Sequence, residues 1–255
     1  MNAPALQTPR LLALGDAAWT LEFGCDISTA TNARVTDLAD RVAGLRQTEP
    51  LFAVVTDLVP TFRSLTVHFD PLATDADSLG KRLLALGQQG GQLVREGHHW
   101  RLPVCFDPSF APDLPRLAET RGLTGSEVIG KLLDADFRVY VIGFQPGFPY
   151  MGGLPPELTM PRLASPRQRV PAHSLAVAGE MCAVYPWDSP GGWNLLGRTP
   201  VQLFDLRFAE HPALLAVGDQ VRWYAVPLAE YERLHQLSQA GQLPRDTFLE
   251  TRGAA

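Results

Sequence analysis

The sequence predicts an α+β protein in two parts: helices packed on one face of an antiparallel sheet, followed by a closed β-barrel. Three observations lead there. Residues 1–95 run through strand, strand and helix patterns twice over. After Phe137, short strand-like pieces alternate with Gly/Pro turns, as the closed antiparallel folds require. The chain has 255 residues, 45% of them hydrophobic and 19% charged, which is enough to bury two cores. The division is expected near the polar run 95–99, giving domains of 1–95 and 96–255.

The elements follow in order. Residues 11–24 read as two short strands around the turn residues Gly15 and Asp16. Val35, Leu38, Ala39, Val42 and Leu45 then share one face of a helix, with Asp26 or Ser28 available as its cap. Residues 52–58 and 64–69 read as strands. In the second, Leu65, Val67 and Phe69 alternate with Thr66 and His68, so one face is buried and the other wet. Thr74 and Asp77 open a helix carrying Leu79, Leu83 and Leu86, and 100–106 returns to strand character. The resulting ββαββα order fits a small ferredoxin-like sandwich. Two short helices come next. One carries Leu114, Leu117 and Ala118; the other opens on Thr124 and Glu127, a capping-box pair. Strands are expected at 139–142, 174–178, 183–185, 201–204 and 221–224, and a last helix at 228–237.

Bulk properties exclude several function classes. A net charge of −5 gives no support for non-specific nucleic-acid binding. No apolar run is long enough to span a bilayer. The N-terminus has neither the charged region nor the apolar run of a secretory leader, so a cytoplasmic location is expected. Cys25, Cys105 and Cys182 are scattered outside any C-x-x-C pattern, and the six histidines show no H-E-x-x-H spacing. No metal site is expected. The stretch from Gly125 to Lys131 has the spacing of a phosphate-binding loop. However, Leu132 stands where Ser or Thr is needed, and the stretch lies within the helix that Thr124 caps. Ser174 beside His173 lacks a nucleophile elbow, so no catalytic nucleophile is assigned.

Function is concentrated in residues 143–200. This segment holds eight of the 22 glycines and ten of the 22 prolines. Chain bent so often and so stiffly holds a surface in one shape. Its basic residues are all arginines, Arg162, Arg167, Arg169 and Arg198. Planar forks of donors suit a carboxylate, a phosphate or an acidic partner. Phe144, Phe148, Tyr150, Trp187 and Trp193 are either barrel plugs or the aromatic patch of a subunit interface, and composition does not separate the two.

The strings LGDAAWTLEFG, VPTFRSLTVHFDPL, GFQPGFPYMGGLP, SPRQRVPA and SPGGWNLLGRTP carry a resemblance. The chain resembles the family of B subunits of bacterial ATP-dependent 5-oxoprolinase. That family also contains the Kip inhibitor of a sporulation histidine kinase and proteins once labelled allophanate hydrolase subunit 1 (carboxyltransferase subdomains C and D). The resemblance covers residues 12–226. It implies a ferredoxin-like first domain and a cyclophilin-like barrel, with partners homologous to the C subunit (direct) and the A subunit. It also implies ATP at the level of the complex, and a small lactam or amide as substrate. The chain is then one subunit of a hydrolase opening 5-oxoproline to glutamate, inactive alone. The alternatives are a regulatory inhibitor of a sensor histidine kinase, or half of a biotin-dependent carboxyltransferase of the urea carboxylase type. On this resemblance Arg162, Arg167, Arg169 and Arg198 contact anions. Gly147, Gly152, Gly153, Gly191 and Gly192 shape the pocket, and Phe148, Tyr150, Trp187 and Trp193 wall the pocket or interface. The chain departs from the family pattern at Leu132, where a histidine is usual, and at His173, where a glycine is usual. It departs again at Glu180, Met181, Cys182 and Ala183, where G-Q-T-G is usual.

Overall fold

The structure is a computed structural model and describes residues 8–89 and 97–250. The chain forms two compact units, Met1–Arg95 and Glu96–Ala255. Of the run 95–99 named above, Arg95 and Glu96 lie outside the described residues, as do the first seven residues.

In the first unit the strands are β1 (Arg10–Ala13), β2 (Ala18–Glu22), β3 (Val55–Pro60) and β4 (Ser64–Phe69), in the order β1-β2-β4-β3, all antiparallel. Helices α1 (Thr29–Leu45) and α3 (Ala76–Gln88) bring Val35, Leu38, Val42, Leu79 and Leu83 against Leu21, Leu65, Val67 and Phe69 in a single core. The caps are Ser28, which accepts from the Thr31 amide, and Asp75, which accepts from the Ser78 amide. Neither Thr74 nor Asp77 is the cap of α3. The expected strand 52–58 is corrected. Pro50 starts a helical turn, α2 (Pro50–Ala53), where its missing N–H costs nothing, and Phe52 is buried from that turn.

The second unit contains β5 (His99–Val104), α4 (Leu114–Arg121), α5 (Gly125–Leu133), β6 (Phe137–Ile142), β7 (Pro149–Gly152), β8 (Arg167–Val170), β9 (Ser174–Ala178) and β10 (Met181–Val184). It continues with β11 (Ser189–Gly191), β12 (Asn194–Arg198), β13 (Gln220–Ala225) and α6 (Leu228–Gln239). Seven strands form one sheet in the order β12-β9-β10-β7-β6-β13-β5. Its two outer strands meet. Cys105, directly after β5, and Arg198 exchange both backbone hydrogen bonds, at 2.8 and 2.9 Å, so the sheet is nearly closed into a barrel. Leu175, Val177, Cys182, Val184 and Leu196 fill the interior with Leu102, Val139 and Trp223. The alternate residues Ala176, Ala178, Ala183 and Leu195 face outward, yet they are buried too. Phe148, Tyr185, Trp193 and Val170 cover them in a second, smaller core. Burial on both faces explains why β9, Ser-Leu-Ala-Val-Ala, shows no polar alternation.

The strand expected at 201–204 is absent. Pro200 has no amide to donate, and the Val201 amide is spent on the Thr199 hydroxyl, so the chain turns and makes only an isolated bridge from Phe204 to Ala213. Strands β7, β11 and β12 were hidden by their Gly and Pro content, and β8, Arg-Gln-Arg-Val, by its polar residues. Helix α5 has the full capping box, with Glu127 reaching back to the Thr124 amide. Gly125 to Lys131 therefore lies in a helix.

Candidate functional site

β8 and β11 pair as a two-stranded ribbon beside the barrel, and the turn after β11 leads through Gly192 and Trp193 into β12. Between ribbon and barrel lies a cleft of about 280 Å³ lined by Phe144, Phe148, Tyr150, Arg162, Tyr185 and Trp193, with Pro166, Pro190, Gly191 and Gly192 at its edges. The aromatic rings meet edge-on or tilted. Phe148 lies 4.8 Å from Tyr150, 5.1 Å from Tyr185 and 6.0 Å from Trp193, and Phe144 stands 5.4 Å away, 64% exposed. Gly191 must be glycine, because a Cβ there would come within 2.3 Å of the Tyr185 hydroxyl. Phe144 holds φ +68°, a conformation that a bulky side chain rarely adopts and one found where a surface is held for use.

The polar equipment of the cleft is small and defined. Arg162 is exposed at its rim with its guanidinium 5.9 Å from the Trp193 ring. Burial raises the pKa of Tyr150 and Tyr185, against Arg162 at both and a backbone hydrogen bond with Trp193 at Tyr185, so both phenols stay protonated. The site thus offers apolar walls, one cation and two hydroxyl donors. That combination suits a small, flat molecule with a carboxylate and a carbonyl.

The remaining arginines are placed elsewhere. Arg167 is a buttress: it donates to Asp113 at 2.8 Å and to the Trp193 carbonyl at 3.4 Å, while the second Asp113 oxygen accepts from the Leu195 amide at 2.7 Å. Asn194, fully buried, donates to the carbonyls of Pro161 and Val177 and accepts from Arg116. Together these fix the backbone that presents Trp193. Arg169 pairs with Asp188 at 2.7 Å in an exposed ion pair. Arg198 lies at the other end of β12, with its guanidinium 5.0 Å from the Phe110 ring and beside His173 and His235. Of the four, only Arg162 lines the cleft.

The glycines divide as well. Gly191 and Gly192 border the cleft, whereas Gly147 packs on Phe204, Gly152 on Tyr140 and Gly153 on the Asp136 carbonyl. Trp187 is 42% exposed and meets Phe204 at 5.9 Å, outside the cleft. The positions that depart from the family pattern separate similarly. Leu132, on α5, and Cys182, on β10, are in the large core of the second unit. Met181 and Ala183 underlie the aromatic floor, and Glu180 is exposed on the β9–β10 turn. His173 has φ +66°, the left-handed conformation that a glycine adopts freely. Tyr185 and Asp113 were missed by sequence reasoning. The first is visible only as the aromatic of a Val-Tyr-Pro string, and the second gives no local signal.

A second hollow, of about 240 Å³, lies among Asp205, Arg207, Phe208 and Arg245. Its cations are engaged. Arg207 pairs with Asp205 at 2.6 Å, and Arg245 donates to the carbonyls of His211 and Pro212. Among the described residues no group of three or more His, Cys, Asp or Glu could hold a metal ion, and no helix is long and apolar enough to cross a membrane.

Residues 9–215 match the family described as carboxyltransferase domain, subdomain C and D. The B subunit of 5-oxoprolinase from Bacillus subtilis is 33% identical over 235 residues, covering 86% of this chain and 93% of that protein. Its counterpart of the same name from Escherichia coli is likewise 33% identical, over 86% of this chain and 96% of its own. A putative urea carboxylase of Emericella nidulans matches at 26% identity, over 71% of this chain and 17% of its own. Among solved structures, TTHA0988 superposes with a TM-score of 0.69 at 36% identity, covering 82% of this chain; the chain spans 40% of that protein.

Proposed function

The chain belongs to the carboxyltransferase domain family, subdomains C and D, and from that premise we propose that it is the B subunit of a 5-oxoprolinase. In this reading it opens 5-oxoproline to glutamate at the expense of ATP, within a complex with homologues of the C and A subunits. The observation that carries the reading is near full-length similarity to two proteins of that name. The cleft supports it. The five-membered lactam lies flat against Phe148, Tyr150 and Trp193, with its carboxylate toward Arg162. A Tyr150 or Tyr185 hydroxyl donates to the lactam oxygen. An unactivated amide resists water, and phosphorylating its oxygen makes a leaving group. What this chain contributes is orientation and a water-poor wall.

We place ATP on a partner subunit. The cleft offers a single arginine, and Gly125 to Lys131 is helical. The barrel is read as cyclophilin-like and the first unit as ferredoxin-like, the chain as inactive alone, and the location as cytoplasmic. The urea carboxylase match favours a second reading, a carboxyltransferase half acting with a biotinylated partner.

The test is reconstitution with the C and A homologues, measuring ATP hydrolysis with and without 5-oxoproline. Stimulation that disappears when this chain is omitted is the expected result. Arg162→Gln raises the KM for 5-oxoproline about tenfold or more, the loss of one charge-assisted hydrogen bond, while leaving the complex intact. No stimulation by 5-oxoproline in a stable complex sinks the reading.

A further inference from the structure

We propose that Arg198, His173 and His235 form a binding site for a small oxyanion, a carboxylate or a phosphate, at the seam where the barrel sheet closes. It is independent of the cleft and of the function assigned to the cleft.

Three buried polar atoms without a hydrogen-bond partner belong to this one cluster: Nδ1 of His173, Nδ1 of His235 and Nε of Arg198. Native proteins leave few such atoms unpaired, and several in one place indicate a missing polar occupant. The cluster is well built. The two imidazoles meet edge-on at 5.9 Å, His235 stacks on Tyr231 at 5.6 Å, and Tyr231 meets Phe110 at 4.6 Å. Each imidazole already uses one nitrogen on the backbone, His173 at Val201 and His235 at Pro200, whose only polar group is its carbonyl. That leaves both Nδ1 atoms unpaired, in the field of a guanidinium whose Nε–H is unpaired too.

The charges around the cluster select the ligand. Burial pushes His173 toward the neutral form, and His235 on α6 and Arg198 on β12 add to it. The carboxylate bearing on His173 is Asp188, already held by Arg169 and the Ala172 amide. Tyr231 on α6 hydrogen-bonds Arg198 as a neutral phenol, its pKa raised by burial, and the nearby Cys105 thiol is raised likewise. A cation is repelled here. An oxyanion accepts from Arg198 Nε–H and draws a proton from solvent onto an Nδ1, which then donates to a second oxygen. Arg198 and His235 are half-buried, and His173 is 7% exposed.

Two further features describe the site. His173 holds φ +66°, a strained conformation for a side chain that glycine would relieve. His235 and Tyr231 come from α6, beyond residues 9–215 that match the family.

The test uses the full chain and imidazole NMR, titrating with inorganic phosphate or acetate against chloride at constant ionic strength. Saturable binding that raises the His173 midpoint by about one pH unit is expected. His173→Gly keeps the fold, because glycine adopts this φ, and weakens the binding about tenfold or more, as does Arg198→Gln; Arg162→Gln leaves it unchanged. Tighter phosphate binding identifies a phosphate ligand, and tighter acetate binding a carboxylate. An equal, non-saturating response to all three anions, or undiminished binding by His173→Gly, overturns the proposal.

Discussion

The two ends of β12 solve opposite problems with the same residue types. At the Asn194 end the buried polar groups are engaged: Asp113 takes Arg167 and the Leu195 amide, and Asn194 takes two carbonyls and Arg116. At the Arg198 end three buried polar atoms are unpaired. One end spends its arginine on holding Trp193 still; the other leaves its arginine with a donor unspent. Each end also has one of the two non-glycine residues with positive φ among the described residues, Phe144 at the cleft and His173 at the seam. The lesson concerns arginines in rigid loops. Whether one is scaffold or ligand depends on whether a buried carboxylate already faces it.

Removing the cleft's wall is the harshest way to break this comparison. Trp193→Ala empties a side chain that is 4% exposed, and a loss of about 3–5 kcal/mol is expected from urea unfolding. Acid separates the ends next. Burial and its cationic neighbours lower the His173 pKa from 6.5 to about 4. The unfolded chain therefore binds more protons than the folded one between those values. The stability tied to the neutral ring is fully present above pH 6.5 and is lost as pH falls toward 4, on the order of 3 kcal/mol in all. Denaturation midpoints at pH 7, 6 and 5 measure the slope, and His173→Gly flattens it; an unchanged slope removes His173 as the cause. Arg167→Ala strands Asp113 and lowers stability by about 1–3 kcal/mol, scored by thermal unfolding. Arg169→Ala, at an ion pair with the arginine 78% exposed, changes it by about 0–1 kcal/mol. Equal losses at positions 167 and 169 would erase the distinction between buttress and surface arginine.

Much of this was legible in the chain itself. Periodicity marked α1, α3 and β4, and the capping pair Thr124 and Glu127 marked α5, because these signals act within a few residues of one another. The Gly/Pro density of 143–200 located the cleft and named Phe148, Tyr150, Arg162, Gly191, Gly192 and Trp193 for it. The same density hid β7, β11 and β12, whose short runs lack the alternation by which a strand is read. It also gave four arginines one role, when local sequence does not reveal that Asp113 waits 54 residues before Arg167.

By itself, then, the sequence determined the local elements, the aromatic and arginine inventory of the site, and the family strings, all properties of residues close together in the chain. Only the tertiary structure decided which arginine was free, which glycines touch the cleft, and that His173 meets His235. Those outcomes depend on partners brought together by barrel closure. The partnering of a buried polar group is a property of the space around it, not of its neighbours in the chain.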